Sequence, residues 1–79
     1  MEPIRVKLTF PESLVRRAML AELVRAYEVS PNIRRAAIEE HVGWIICEVD
    51  GEVHEVERAL DWLRAEGVQV DLLGDVLES

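Results

Sequence analysis

Residues 43–51 have the sequence Gly-Trp-Ile-Ile-Cys-Glu-Val-Asp-Gly, in which aromatic and β-branched side chains lie between two glycines. Such runs favour β-strands, because branched and aromatic side chains pack well on a pleated surface. Successive side chains of a strand point to opposite faces, so Trp44 and Ile46 oppose Ile45 and Cys47. Both faces therefore carry apolar residues, and we expect this strand at the centre of a sheet.

Three further segments are expected to be strands of the same sheet, at residues 4–10, 33–42 and 68–72. In the first of them apolar and polar residues alternate, which places four side chains on the inner face: Ile4, Val6, Leu8 and Phe10. The second has the least clear strand pattern of the three. A tight connection at Gly43 joins it to the central strand in a hairpin. A short tail at residues 73–79 follows the last strand.

Two segments show the three-to-four-residue apolar spacing of amphipathic helices. The first is predicted from Pro11 to Tyr27, with an inner stripe of Val15, Met19, Leu23 and Ala26 widened by Leu20, Val24 and Tyr27. The second follows Asp50 and ends at Gly67, which suits a left-handed cap because it has no Cβ. Its stripe consists of Val53, Val56, Leu60 and Leu63.

The predicted order of elements is strand, helix, strand, strand, helix, strand. Right-handed crossovers then give an α+β, ferredoxin-like βαββαβ plait, a four-stranded antiparallel sheet with both helices on one face. Residues 1–79 are expected to form this single domain. The other sheet face would expose Trp44 and Ile46, and we expect a second copy of the chain to cover them.

Composition and charge exclude several classes of partner. Nine basic and sixteen acidic residues give a formal charge of −7, which repels nucleic acid phosphates and anionic membranes. The sequence contains no apolar stretch long enough to span a bilayer and only one cysteine, so we expect a reduced, cytoplasmic protein. The Arg-Gly-aromatic motif of RNA-recognition domains is also missing.

The residues that most resemble catalytic or metal-binding groups do not form a recognisable motif. His41, Cys47, Asp50 and His54 lack zinc-ligand spacing, and Cys47 lies in a strand where a buried, inert thiol is expected. No phosphate loop or nucleophile motif is present, so we expect neither enzymatic activity nor a cofactor. A polar bend at residues 30–32, Ser-Pro-Asn, is the one loop that suggests a site, although its asparagine could equally hold the turn.

Several ordered motifs make the chain resemble the NIL domain family, over about residues 5–73. They are Leu-Thr-Phe-Pro at 8–11, Tyr-Glu-Val at 27–29, Asn-Ile at 32–33, Gly43, Asp-Gly at 50–51, Ala-Leu-Asp-Trp-Leu at 59–63 and Gly-Val at 67–68. The third residue of the Asn-Ile-Leu motif that names the family is replaced by Arg34. The hairpin before Gly43 is also shorter than in the transporter-attached members.

The resemblance implies a regulatory domain of methionine-import ATPases, which dimerises and binds methionine at the dimer interface. Stand-alone and ferredoxin-associated copies exist in sulfur assimilation, and this chain resembles those. Methionine or a related sulfur amino acid would then contact Asn32, Ile33 and Ile38. Because Arg34 departs from the motif, a second interpretation stays open, a non-liganded interaction subunit of a sulfur-assimilation enzyme or ferredoxin system. In either case we expect a homodimer in which third strands or sheet faces of two copies meet.

Overall fold

The computed structural model of the protein describes residues 3–39 and 41–74. Within them the chain forms four strands and three helices. Their bounds are β1 Ile4–Pro11, α1 Glu12–Val15, α2 Met19–Ala26, β2 Val29–Ile38, β3 Val42–Gly51, α3 Val53–Glu66 and β4 Gln69–Leu72. No helix of this described part is long and apolar enough to cross a membrane. The predicted tail lies outside the description from residue 75 onward.

The four strands form one sheet in the order β2-β3-β1-β4, with antiparallel pairing throughout. Strand β3 lies between β2 and β1, so its predicted central position is confirmed. The pairing aligns Val6 with Cys47 and Leu8 with Ile45, which places the inner side chains of both central strands on the same face. The α+β, ferredoxin-like plait predicted from the sequence is therefore confirmed.

The core lies between this face of the sheet and the helices, and it is a single cluster. The sheet contributes buried side chains that include Val6, Leu8, Cys47 and Val49, whereas the helices contribute Leu14, Met19, Leu23, Val56, Ala59, Leu60 and Leu63. No polar or charged side chain is buried among the described residues. Hydrophobic burial therefore supplies the main driving force for folding, at about 1.5–3 kcal/mol for each large side chain.

The first helical segment differs from the prediction, because it is broken into α1 and α2 at residues 16–18. Leu14 and Leu23 are both buried. In a continuous helix they would lie roughly 180° apart, since nine residues correspond to about two and a half turns. The break lets both side chains reach the core, so one straight helix from Pro11 to Tyr27 was wrong.

The polar bend predicted at residues 30–32 was also wrong, because these residues belong to strand β2. They pair with Asp50, Val49 and Glu48 of β3. Strand β2 is at the edge of the sheet, where a proline is tolerated because its missing N–H can face away from the neighbouring strand. Pairing with β3 therefore prevails over the local turn preference, and β2 starts four residues before the predicted strand.

The hairpin connection lies before Gly43, not at it. Gly43 is inside β3 and pairs with both Ile38 and Phe10. The register between β2 and β3 shifts between Ile33 and Arg35, which leaves Arg34 as a bulge. Bulges bend an edge strand and redirect its side chains.

The second predicted helix, α3, is confirmed together with its ends. The side chain of Glu52 accepts hydrogen bonds from the backbone N–H groups of His54 and Glu55, both at 3.1 Å. Gly67 ends the helix with φ 107°, and the N–H of Val68 donates to the carbonyl of Leu63 at 2.9 Å. This is the hydrogen-bonding pattern of a glycine-capped helix C-terminus. Val53, which was predicted to face inward, is instead 47% exposed.

Candidate ligand-binding cleft

An apolar cleft of about 370 Å³ lies between the broken first helix and strands β2 and β3. We call it the α2–β2 cleft and define it by its two walls. The helical wall contains Arg17, Ala18, Leu20 and Ala21, and the strand wall contains Ile33, Ala36 and Ile38. Phe10 and Ile45 line its floor. Volumes of this order are at the lower end of those of small-molecule sites, so the cleft suits a small ligand.

The cleft exists because small residues lie where the two walls approach each other. Ala18, Ala21 and Ala36 present only a methyl group to it. Gly43 presents none, and a Cβ built there would lie 3.7 Å from Ile38 and 3.8 Å from Val15. A larger side chain at any of these positions would occupy the space between the helices and the sheet.

Strand β2 leaves large apolar side chains in solvent beside the cleft. Ile33 is 52% exposed and Ile38 is 73% exposed. In the described sheet β2 has β3 as its one neighbour, so the outer edge of β2 is open. Exposed apolar residues on an open edge strand are typical of a surface that another molecule covers.

The three residues predicted to bind a ligand do not all point into this cleft. Ile33 and Ile38 line it, although most of the Ile38 side chain is exposed to solvent. Asn32 is exposed but does not line the cleft, because adjacent side chains of a strand point to opposite faces. It pairs with Glu48 on the face of the sheet that is free of helices.

One charged residue at the cleft, Arg17, has a defined set of partners. Its Nε and Nη2 donate to the two carboxylate oxygens of Glu22 at 2.8 and 2.7 Å, and its Nη1 donates to Glu66 Oε1 at 2.9 Å. The hydrogen bonds that Arg17 donates to Glu22 and Glu66 raise the pKa of Arg17, and the bond to Glu22 lowers the pKa of that carboxyl group. Arg17 lies in the helix break and connects it to the end of α3. The sequence pattern does not indicate this residue, because it predicts an uninterrupted helix there.

The residues that could act as nucleophiles or metal ligands do not lie together in one site. Cys47 is fully buried in the core, and this burial, with a smaller effect of Glu48, raises the pKa of its thiol to about 11. A protonated, inaccessible thiol is a poor nucleophile. His41 contacts Glu12 at 3.2 Å, and His54 lies 3.8 Å from Glu57. Within residues 3–39 and 41–74 no three His, Cys, Asp or Glu side chains are grouped so that they could hold a metal ion.

The sheet face opposite the helices is less exposed than expected. Trp44 and Ile46 are half-buried on it, and the ammonium of Lys7 lies 5.2 Å from the centre of the Trp44 ring. Arg5 and Glu48 form an ion pair at 3.0 Å on the same face. Because β3 already pairs on both sides, two copies would bring their third strands together through their sheet faces, and this predicted dimer stays a prediction.

Comparison with known proteins identifies the family. The sequence model of the NIL domain matches residues 4–71, which is most of the chain. The chain belongs to the NIL domain family. A curated relative of this NIL domain is the methionine import ATP-binding protein MetN of Helicobacter pylori strain J99. The two are 33% identical over 61 residues, which is 72% of this chain but 19% of the relative.

A solved structure supports the fold of this NIL domain. The C-terminal domain of an ABC transporter ATP-binding protein from Enterococcus faecalis superimposes with a TM-score of 0.83. The match covers 94% of this chain and 87% of that domain at 22% identity. At this identity the likeness shows the fold alone.

Proposed function

We propose that this NIL domain is a regulatory module that binds methionine or a related sulfur amino acid in the α2–β2 cleft. The observation that carries the proposal is the cleft itself, about 370 Å³ in volume with an almost entirely apolar lining. An unbranched thioether side chain is flexible enough to fill an irregular apolar space of this kind. The relative whose name specifies methionine import supports the choice of ligand.

The proposal assigns a role to each predicted contact residue. Ile33 and Ile38 form the strand wall and contact the thioether, which removes apolar surface from water. Asn32 lies on the same edge strand but outside the cleft, and its amide carries both donors and acceptors. We assign Asn32 to the seam between two copies, where it can bond to the polar end of the ligand.

The same proposal includes a homodimer that forms along strand β2. The outer edge of this ten-residue strand is open in the described sheet, and Ile33 and Ile38 lie exposed beside it. Antiparallel pairing of two β2 strands satisfies the free backbone groups and covers both isoleucines. The cleft opens next to this seam, so ligand binding and dimerisation support each other.

Isothermal titration with methionine, homocysteine and cysteine tests ligand binding. The Ala21→Leu variant fills the cleft and should abolish the heat of methionine binding, because Ala21 lies in its helical wall. Ala26→Leu is the matched control, since Ala26 belongs to the same helix, is exposed and does not line the cleft. The absence of heat with all three amino acids at millimolar concentration would remove the hypothesis.

A second function is favoured by the net charge of the chain, −7, which suits a basic partner whose association depends on salt. Glu57 and Asp61 contribute to this charge on the outer side of α3, where they are 65% and 74% exposed. We propose as the alternative a non-liganded subunit that docks on a sulfur-assimilation enzyme or ferredoxin system. Co-purification of a partner that is lost when both acidic residues are changed to lysine, without a methionine effect, would favour this alternative.

A further inference from the structure

The α2–β2 cleft contains one charged residue at its wall. Among the described residues that line it, Arg17 alone carries a charge, and all the others are apolar. A cation at the wall of an apolar cleft restricts the ligands that fit, because a ligand that covers a guanidinium without bonding to it leaves buried donors unpaired. Arg17 is therefore the residue most able to determine which polar group a ligand carries.

Arg17 keeps donor capacity for a ligand. A guanidinium has five N–H donors. Glu22 and Glu66 take three of them, one from Nε, one from Nη1 and one from Nη2. Two N–H groups, one on each terminal nitrogen, have no further hydrogen-bond partner within the described residues. These two groups can donate to the oxygens of a carboxylate, and such charge-assisted hydrogen bonds are stronger than neutral ones.

The carboxylates around Arg17 hold its side chain in place before a ligand arrives. Glu22 binds it in a bidentate manner from α2, and Glu66 binds it from the end of α3. Neither glutamate lines the cleft. A side chain fixed by two partners loses little conformational freedom when it binds a third group.

We infer that Arg17 binds the carboxylate of the ligand and thereby selects molecules with an apolar tail and a carboxylate head. The inference rests on the proposed function, since it concerns the same cleft, but it makes an independent statement about ligand chemistry. The two glutamates also compete for the guanidinium, so the affinity for a carboxylate depends on how firmly they bind it.

Titrations with ligands that differ only in the head group test the inference. Methionine should bind at least about tenfold more tightly than methioninol, in which a hydroxymethyl group replaces the carboxylate. In Arg17→Gln this difference should shrink to less than about twofold, through weaker methionine binding and unchanged methioninol binding. Arg16→Gln is the matched control, because the adjacent Arg16 is exposed and lies outside the cleft. It should retain the full difference.

Two additional variants separate recognition from a loss of structure. Arg17→Lys keeps the positive charge and should restore a preference for methionine over methioninol. Glu66→Gln keeps an oxygen that can accept from Arg17 and hold it in place, but it removes a competing negative charge, so it should strengthen methionine binding without changing methioninol binding. Equal affinities of the native protein for methionine and methioninol would overturn the role of Arg17 and leave the cleft proposal standing. No binding of either ligand would overturn both.

Discussion

Replacing Leu63 by alanine should remove a large part of the stability of this domain. Leu63 lies on α3, is 0% exposed and belongs to the single core cluster. Truncation of a buried leucine costs 2–5 kcal/mol, and the cost rises when the surroundings cannot close the cavity. Leu63 does not line the α2–β2 cleft, so its cavity would stay closed, and we expect a loss of about 3–5 kcal/mol.

Two other leucines provide a graded series for the same truncation. Leu14 is 9% exposed and lines the cleft, so the space it leaves would open to solvent and the loss should be about 2–3 kcal/mol. Leu72 is 61% exposed on β4, and its truncation should change stability by less than about 0.5 kcal/mol. A domain of this size has a total stability of roughly 4–12 kcal/mol, so at the lower end of this range the largest loss would unfold it. All variants are therefore compared in the presence of a stabilising osmolyte.

Urea unfolding followed by far-ultraviolet circular dichroism measures the series. The free energy of unfolding should be highest for Leu72→Ala, lower for Leu14→Ala and lowest for Leu63→Ala. The m-value, which is the slope of this free energy against urea concentration, should be the same for all three. Equal losses at all three positions, or a loss below about 1 kcal/mol at Leu63, would refute the assignment of the core to the space between α3 and the sheet.

Two further predictions concern the buried thiol and the cap of α3. The pKa of Cys47 is raised to about 11 by burial, while an unfolded thiol titrates near 8.5, so the folded state holds the extra proton between these values. The free energy of unfolding should therefore keep its full value below pH about 8.5 and decline as the pH rises towards about 11. Urea titrations at several pH values should show a smaller decline for Cys47→Ala. Glu52→Ala removes the cap of α3 and should lower the free energy of unfolding by about 0.5–2 kcal/mol, whereas Glu57→Ala should change it by less than about 0.5 kcal/mol in the same assay.

The element order and much of the core followed from local patterns in the sequence. Strand β1 was predicted because Val6, Leu8 and Phe10 alternate with polar residues, and all three are buried. Helix α3 was predicted with its glycine cap, because Gly67 has the conformational freedom that this helix end requires. Such signals lie within a few residues of one another, so they need no knowledge of the rest of the fold.

The cleft could not be predicted from local sequence patterns, because it is formed by elements that only the tertiary structure brings together. The helix break at residues 16–18 forms because Leu14 and Leu23 must reach the same core, and strand β2 includes Pro31 because pairing with β3 outweighs its turn preference. The sequence by itself indicated Ile33 and Ile38 through the family resemblance, but it did not indicate Arg17. Only the tertiary structure brings Arg17 to Glu66, 49 positions away along the chain, and into the lining of the same cleft as the two isoleucines. Patterns along a sequence predict which face of an element is buried, whereas a cleft arises from the distances between elements.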